Sequence, residues 1–181
     1  LAVTLAGLAI GLGNSILVLF ALEELGIPEA GYGLLLAVAA AGGFFGSLSA
    51  ARTSVRFGRR RTLLAGTILM VVSQLVIGTA PGVIVAGVGL FLTALGRTLF
   101  AVVGQSIRQR VTPDRLLGRV VTSFRMIAVG GLPIGAVAGG LVAQATNLRI
   151  PFLIGAALGV GFTVVVYRVA TSERIEAVSA V

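Results

Sequence analysis

Charged residues in this chain lie in short clusters, and long uncharged runs separate the clusters. The densest cluster is RTSVRFGRRR, which holds five of the fourteen arginines between Arg52 and Arg61. Apolar runs of about twenty residues flank it, which is the length of a helix that spans a bilayer. Only 11% of the residues are charged and 57% are hydrophobic, whereas soluble domains carry about 25% charged residues. The sequence therefore predicts an all-α, polytopic membrane protein.

The apolar runs predict one bundle of six transmembrane helices over residues 1–181. A four-residue turn, Thr79 to Gly82, predicts an antiparallel hairpin between the third and fourth helices. Thr112, Pro113 and Asp114 predict the start of the fifth helix, with a capping Thr, Pro at the first helical position and Asp at the positive end of the dipole. The predicted spans are about 1–22, 30–51, 62–78, 83–106, 120–145 and 150–169, with a tail over 170–181.

The arginines predict the orientation of the bundle. Cytoplasmic loops collect Lys and Arg, and Arg149 is the one arginine in the connections on the opposite side. The rule therefore places both termini in the cytoplasm, and it accounts for the net charge of +8 without a nucleic-acid partner. The arginines counted on the cytoplasmic side are Arg52, Arg56, Arg59, Arg60, Arg61, Arg108, Arg110, Arg115, Arg119, Arg168 and Arg174.

Two arginines, Arg97 and Arg125, lie within predicted spans. Arg97 precedes Arg108 by eleven residues, or about 16 Å along a helix, which places it near mid-membrane. A charge there is costly unless it is paired or hydrated, and no Asp or Glu lies within any span. Arg97 therefore pairs with a carboxylate outside this chain, binds an anionic substrate group, or bonds backbone carbonyls. Arg125 is interpreted as a snorkelling residue. The face of Arg97 continues through Thr93, Ala101, Gly104 and Arg108, as expected of a cavity wall.

Small residues recur at four-residue spacing in several spans. Gly131, Gly135 and Gly139 share one face of the fifth span, and Pro133 lies among them. This spacing lets helix backbones approach closely, and Pro favours a kink. Two interpretations stay open for this face: tight packing alone, or a flexing point for alternating access. Close packing is the interpretation for Gly7, Gly11, Gly42 and Gly46.

The arginine cluster resembles the signature between the second and third helices of a half of a major facilitator superfamily transporter. Arg56, Gly58, Arg59 and Arg60 match that pattern, whereas Val55 stands where the family has Asp; Ala51 replaces its first Gly. The resemblance implies a six-helix half built as a three-plus-three inverted repeat. The loop arginines then either set topology and attract anionic lipid headgroups, or form a clamp that gates the transporter.

A second stretch, SIRQRVTPDRLLGRVVTSFR followed by GGLPIGAVAGG, resembles the C-terminal half of bacterial siderophore-efflux and macrolide-efflux transporters. This resemblance implies efflux of small molecules, with proton coupling by an acid in the other half. It also implies a partner N-terminal six-helix half and a bacterial plasma-membrane location. Asn14 would lie on a cavity-lining helix, as a substrate contact or an interhelical hydrogen-bond group. Pro133 is similar to the Pro of the antiporter Gly-Pro motif, although Leu132 precedes it.

The sequence contains neither Cys nor His, so thiolate and imidazole sites for metals are excluded, and no catalytic constellation or cofactor site is expected. The chain begins at Leu1 within an apolar run, which favours a fragment of a longer transporter. The expectation is that this fragment does not transport alone. Two alternatives remain: a six-helix scaffold or assembly subunit that does not transport, and a half-size transporter that acts as a homodimer.

Overall fold

The chain forms six helices in the computed structural model, which describes residues 2–111 and 113–170. A π-helical turn, Phe20–Glu24, continues the first helix. No strand occurs in the described ranges, and the predicted all-α class is confirmed. The tail over 171–181 and the predicted cap Thr112 lie outside the described residues, as do the side chains of Arg108 and Arg125. The helices are α1 (Ala2–Leu19), α2 (Glu29–Phe57), α3 (Arg59–Gly78), α4 (Val83–Val111), α5 (Asp114–Ala145) and α6 (Ile150–Ala170).

Helix length and hydropathy support a multi-pass membrane protein. Within the described ranges, α1 with its π-helical turn, α2, α3, α4 and α6 are each long and apolar enough to cross a membrane. The apolar part of α5, Val129–Ala145, is shorter. The helices also extend beyond several of the predicted spans, because a helix does not have to end where the hydrocarbon ends.

The stretch from Arg52 to Arg61, predicted as a loop, is almost entirely helical. α2 continues through Phe57 and α3 begins at Arg59, so Gly58 alone connects them, with a φ of +83° that favours glycine. Arginine is a good helix former. The hydroxyl groups of Thr53 and Ser54 donate to carbonyl groups of the preceding turn instead of opening the helix. The basic cluster is therefore formed by two helix ends.

The second arginine-rich stretch is also mainly helical. α4 continues to Val111, beyond its predicted end at residue 106, and α5 begins at Asp114. Pro113 lies immediately before α5 with an extended ψ of 142°, so the prediction that it occupies the first helical position was wrong by one residue. Pro113 can precede the helix because its missing N–H leaves no donor unsatisfied there.

The packing of the helices repeats between the first three and the last three. The most extensive contacts are α1 with α5 and α2 with α4, followed by α3 with α4, then α3 with α6 and α1 with α6. Exchanging α1 with α4, α2 with α5 and α3 with α6 converts this set of pairs into itself. The contacts therefore agree with the three-plus-three repeat that the family resemblance implied.

Glycines bring the backbones of α2 and α4 into direct contact. Gly42 packs against the backbone of Phe91, and Gly46 packs against Leu95 and the side chain of Thr98. Both glycines are buried. A Cβ at Gly42 would overlap main-chain atoms of α4, and one at Gly46 would lie tightly against Leu95 and Thr98, so the close approach favours glycine at both positions.

The same contact recurs between α5 and α1. Gly135 packs against the backbone of Leu8, and Gly139 packs against Leu12. Gly131 lies one turn earlier, against the backbone of Thr4. The glycine face of α5 is therefore in contact with α1 along three turns, which is the close packing that its spacing indicated.

The residues that the glycines contact on α4 and on α1 are separated by the same number of positions in the sequence. Phe91 follows Leu8 by 83 residues, and Leu95 follows Leu12 by 83 residues (91 minus 8 and 95 minus 12). This offset of 83 residues therefore relates α1 to its counterpart α4, residue by residue.

Arg149 joins three connections at the end of the bundle opposite the arginine cluster. Its Nε and Nη2 both lie 3.2 Å from Oε2 of Glu24, at the end of the π-helical turn. Its Nη1 donates to the carbonyl oxygen of Ala80, in the α3–α4 turn, at 2.8 Å. Its guanidinium also lies over the ring of Phe20, 5.9 Å from the centroid. These contacts tie the ends of α1 and α3 to the start of α6.

The glycine contact at Gly135 predicts a position-specific loss of stability. We expect Gly135→Ala to lower the free energy of unfolding by about 1–3 kcal/mol, because the added methyl group overlaps the backbone of Leu8. Gly140→Ala is the matched control, since its methyl group meets no atom within 4 Å and Ala favours a helix by about 1 kcal/mol. Thermal unfolding of the protein in detergent measures both; equal melting temperatures would contradict the contact.

The Arg149 contacts predict a second loss of stability. Arg149→Ala removes charge-assisted hydrogen bonds to Glu24 and Ala80, each worth about 1.5–3 kcal/mol at most, and we expect a lower melting temperature. Glu24→Gln should have a smaller effect, because the bond to Ala80 remains. Arg52→Ala, at an exposed arginine of the opposite end, should leave the melting temperature unchanged. Equal effects of the Arg149 and Arg52 variants would argue against this link.

Candidate functional site

A cavity lies between α1, α3, α4 and α6. Its volume is about 60 Å³, and because one water needs about 10–15 Å³ of such space, it has room for a few water molecules. Its walls are mainly apolar, with polar side chains from three helices. Polar and charged lining residues are Asn14, Thr67, Gln74, Thr93 and Arg97, and the apolar ones include Met70, Leu90, Phe152 and Phe162.

Arg97 and Asn14 occupy matching positions on the two helices that the repeat relates. Arg97 is the central residue of α4, fourteen residues from Val83 and from Val111, or about 21 Å from each end at 1.5 Å per residue. Asn14 lies near the middle of α1 with its π-helical turn. The offset of 83 residues that relates α1 to α4 also relates Asn14 to Arg97. Both side chains are exposed at the edge of the same cavity.

Glycines beside these residues support the correspondence. Gly13 and Gly96 share the same offset and precede Asn14 and Arg97. Gly13 packs against the ring of Phe152 on α6, and Gly96 packs against Gly66 on α3. Since α6 and α3 are themselves exchanged by the repeat, the surroundings of the two polar residues are equivalent as well.

Three neutral polar side chains of the cavity, those of Thr93, Gln74 and Thr67, already have hydrogen-bond partners within the bundle. Thr93 Oγ1 donates to the carbonyl oxygen of Gly89 at 2.9 Å and lies 2.8 Å from Ser73 Oγ. Gln74 Nε2 donates to the carbonyl oxygen of Ala9 at 3.3 Å. Thr67 Oγ1 donates to a carbonyl of its own helix at 3.0 Å. The contacts of Gln74 and Thr93 join neighbouring helices, whereas the bond of Thr67 lies within α3. Thr93, a predicted cavity residue, therefore has its hydroxyl engaged.

The side chains of Arg97 and Asn14 differ from these groups because they lack such partners among the described residues. Within residues 2–111 and 113–170, neither side chain forms a hydrogen bond or an ion pair. Glu23 and Glu24, in the π-helical turn after α1, and Glu29, at the start of α2, do not line the cavity. The cavity thus presents one cation and one amide whose donors and acceptors are available to a ligand.

The other predicted site residues lie elsewhere. Arg108 was predicted to continue the face of Arg97, and its side chain is outside the described residues. Gly131, Gly135 and Gly139 are buried against α1, while Pro133 on the same helix is exposed. α5 runs from Asp114 to Ala145 with Pro133 inside it. The hinge role of this segment stays a prediction.

The arginine-rich motif lies at one end of the bundle, away from the cavity. The guanidinium of Arg60 lies over the ring of Tyr167 near the end of α6, 5.5 Å from the centroid. Arg56 contacts the ring of its neighbour Phe57 at 5.4 Å. Val55, at the family's Asp position, is 88% exposed. Arg60 therefore links α3 to α6, and Val55 makes no equivalent link within the described part of the chain.

Sequence reasoning missed the contribution of α3 to the cavity. Gln74 lines the cavity and Ser73 contacts Thr93, although neither was among the predicted site residues. Thr67 was not singled out. The available signal was that Thr67, Ser73 and Gln74 lie in the apolar part of α3. Their sequence spacing does not reveal which neighbouring helix they face.

Comparison with known proteins agrees with this architecture. The family described as "Major Facilitator Superfamily" matches residues 1–180. The chain is also 28% identical over 109 residues to YncC of Bacillus subtilis (strain 168), whose name assigns it to metabolite transport. That match covers 60% of this chain and 23% of the relative, so the chain corresponds to well under half of the relative's length. With the family matched over nearly every residue and six helices packed in a three-plus-three repeat, this chain belongs to the major facilitator superfamily.

Proposed function

We propose that this chain is one half of a secondary transporter that moves small molecules across a membrane by alternating access. The observation that carries the proposal is the pair Asn14 and Arg97, which lie unpaired at equivalent mid-helix positions on one cavity. In transporters built from repeats, substrates bind near the midplane at the interface between repeats. Asn14 and Arg97 are the substrate contacts in this proposal.

The proposal includes a second six-helix half that faces Asn14 and Arg97. Both side chains are exposed in this chain alone, so another surface is needed to enclose a substrate. The resemblance of the stretch from Ser106 to Arg125 to bacterial efflux transporters supports export as the direction. A proton-carrying acid, where transport is coupled to protons, belongs to the second half, because no carboxylate lies within the spans of this chain.

Movement in this proposal takes place between the two halves and within α5. The glycine contacts make α1 with α5, and α2 with α4, two closely packed pairs. Pro133 leaves the carbonyl of the preceding turn without its helical partner, which makes the exposed side of α5 easier to bend. We assign the flexing point to the segment around Pro133, beside the contact made by Gly135.

Substitutions at the two polar positions test the site. In the intact transporter reconstituted into liposomes, we expect Arg97→Gln to lower transport about 10–100-fold, the loss that corresponds to about 1.5–3 kcal/mol for a charge-assisted hydrogen bond. We expect Asn14→Ala to lower transport about tenfold. Arg52→Gln removes an exposed arginine and Gln144→Ala an exposed amide; both should transport normally. Wild-type rates in the Arg97 and Asn14 variants, with full expression, would refute the assigned contacts.

A transport assay on residues 1–181 alone tests the need for a second half. We expect liposomes that contain only this chain to show no counterflow of a substrate that the intact transporter carries, because the cavity faces an open surface. Counterflow at the rate of the intact transporter would instead favour a homodimer of this chain. An intact protein that inserts normally and transports nothing would favour the scaffold alternative.

A further inference from the structure

We propose that the cavity between α1 and α4 is selective for an oxyanion, and that Arg97 binds the carboxylate, or a similarly small anionic group, of the transported molecule. This inference rests on the proposed function and adds the chemical class of the substrate. It follows from the charge of the cavity, from the partners of its polar groups and from the position of Arg97 along α4.

The charge of the cavity is positive, and no acidic side chain among the described residues compensates it. Among the described residues that line it, Arg97 is the one that carries a charge. The sequence has no Asp or Glu within the predicted spans, and the carboxylates of Glu23, Glu24 and Glu29 do not line the cavity, so a counter-charge has to be supplied by another molecule or another part of the transporter. Ionisable groups in a membrane face a water-filled cavity or a partner because the charge is otherwise costly. A mobile anion in the cavity meets this requirement.

The partners of the other polar groups leave Arg97 and Asn14 as the groups that can bind a ligand. The hydroxyl of Thr93 bonds to Ser73 on α3, and the amide nitrogen of Gln74 donates to Ala9 on α1, so both are used between helices. A guanidinium presents five N–H donors in a planar arrangement that matches two oxygens of a carboxylate. Asn14 adds an amide that can donate to a further oxygen of the same molecule. One cation and one amide that can donate line the same cavity, and these groups suit an oxyanion.

The position of Arg97 argues against binding of a lipid headgroup. Arg97 lies about 21 Å from either end of α4 at 1.5 Å per residue, whereas headgroups lie at the edges of a core about 30 Å thick. Arginines near helix ends reach the interface by extending along the helix, and Arg97 is the residue of α4 that is farthest from both ends. Its anion is therefore a solute that enters the cavity.

The experiment measures the charge of the cavity without knowledge of the substrate. This chain has no cysteine, so Asn14→Cys places a single reporter thiol at the cavity in a transporter whose other half is made cysteine-free. The purified intact protein is treated separately with two thiosulfonate reagents of similar size, one carrying a sulfonate and one carrying a trimethylammonium group. Each reaction rate is divided by the rate at which the same reagent reacts with a small free thiol, which removes differences in intrinsic reactivity.

We expect the thiol introduced by Asn14→Cys to react about tenfold faster with the sulfonate reagent than with the trimethylammonium reagent. The positive charge of Arg97 attracts the first reagent and repels the second across a distance that salt screens poorly. Adding Arg97→Lys should keep this preference, and adding Arg97→Gln should remove it. Ile10→Cys lies one turn away and also lines the cavity. It provides a second reporter position if the substitution of Asn14 prevents folding.

The other outcomes separate this inference from the proposed function. Reaction at both positions with equal rates, or with preference for the trimethylammonium reagent, would mean that a carboxylate of the other half neutralises Arg97. The oxyanion inference then fails while the water-accessible site remains. Failure of both thiols to react with either reagent would show that the cavity is closed to solutes, and the proposed function would fail with the inference.

Discussion

Direct contact between helix backbones is the constraint on which this structure depends. In a bilayer, lipid tails solvate apolar side chains well, so helices associate through close packing and hydrogen bonds. Gly42 and Gly46 provide such contacts between α2 and α4, and Gly135 and Gly139 provide them between α5 and α1. These contacts fix α1 against α5 and α4 against α2, and the faces that carry Asn14 and Arg97 are left at the cavity. The packing thereby determines which side chains are available for binding.

The sequence predicted the features that depend on the bilayer and missed those that depend on distant neighbours. Apolar length predicted the helices, and the cost of a mid-membrane charge predicted Arg97 as a site candidate. Apolar length could not show that α2 continues through Arg56 to Phe57, because a helix outside the hydrocarbon needs no hydrophobic residues. The link between Arg149 and Glu24, 125 residues apart, was not predicted either, since neither residue lies in a periodic pattern that indicates its partner.

The two ends of the bundle are held by different interactions. At one end, Arg149 ties Glu24 and the Ala80 carbonyl together in a partly buried network above the ring of Phe20. At the other, Arg60 lies over Tyr167, and the exposed Val55 stands where the family has an acid. The first end is therefore cross-linked by a charge pair within this chain, and the second depends more on helix propensity and on a single glycine, Gly58.

The relation between Asn14 and Arg97 has a consequence for how a molecule sits in the cavity. Two equivalent positions that carried the same residue would bind a ligand equally well in either of two opposite directions. Here one position carries a permanent charge and the other a neutral amide, so under the proposed function a molecule with a single anionic end would have one preferred direction. The internal repeat relates the two helices that carry Asn14 and Arg97, and the difference between these two side chains would give a bound molecule a fixed orientation.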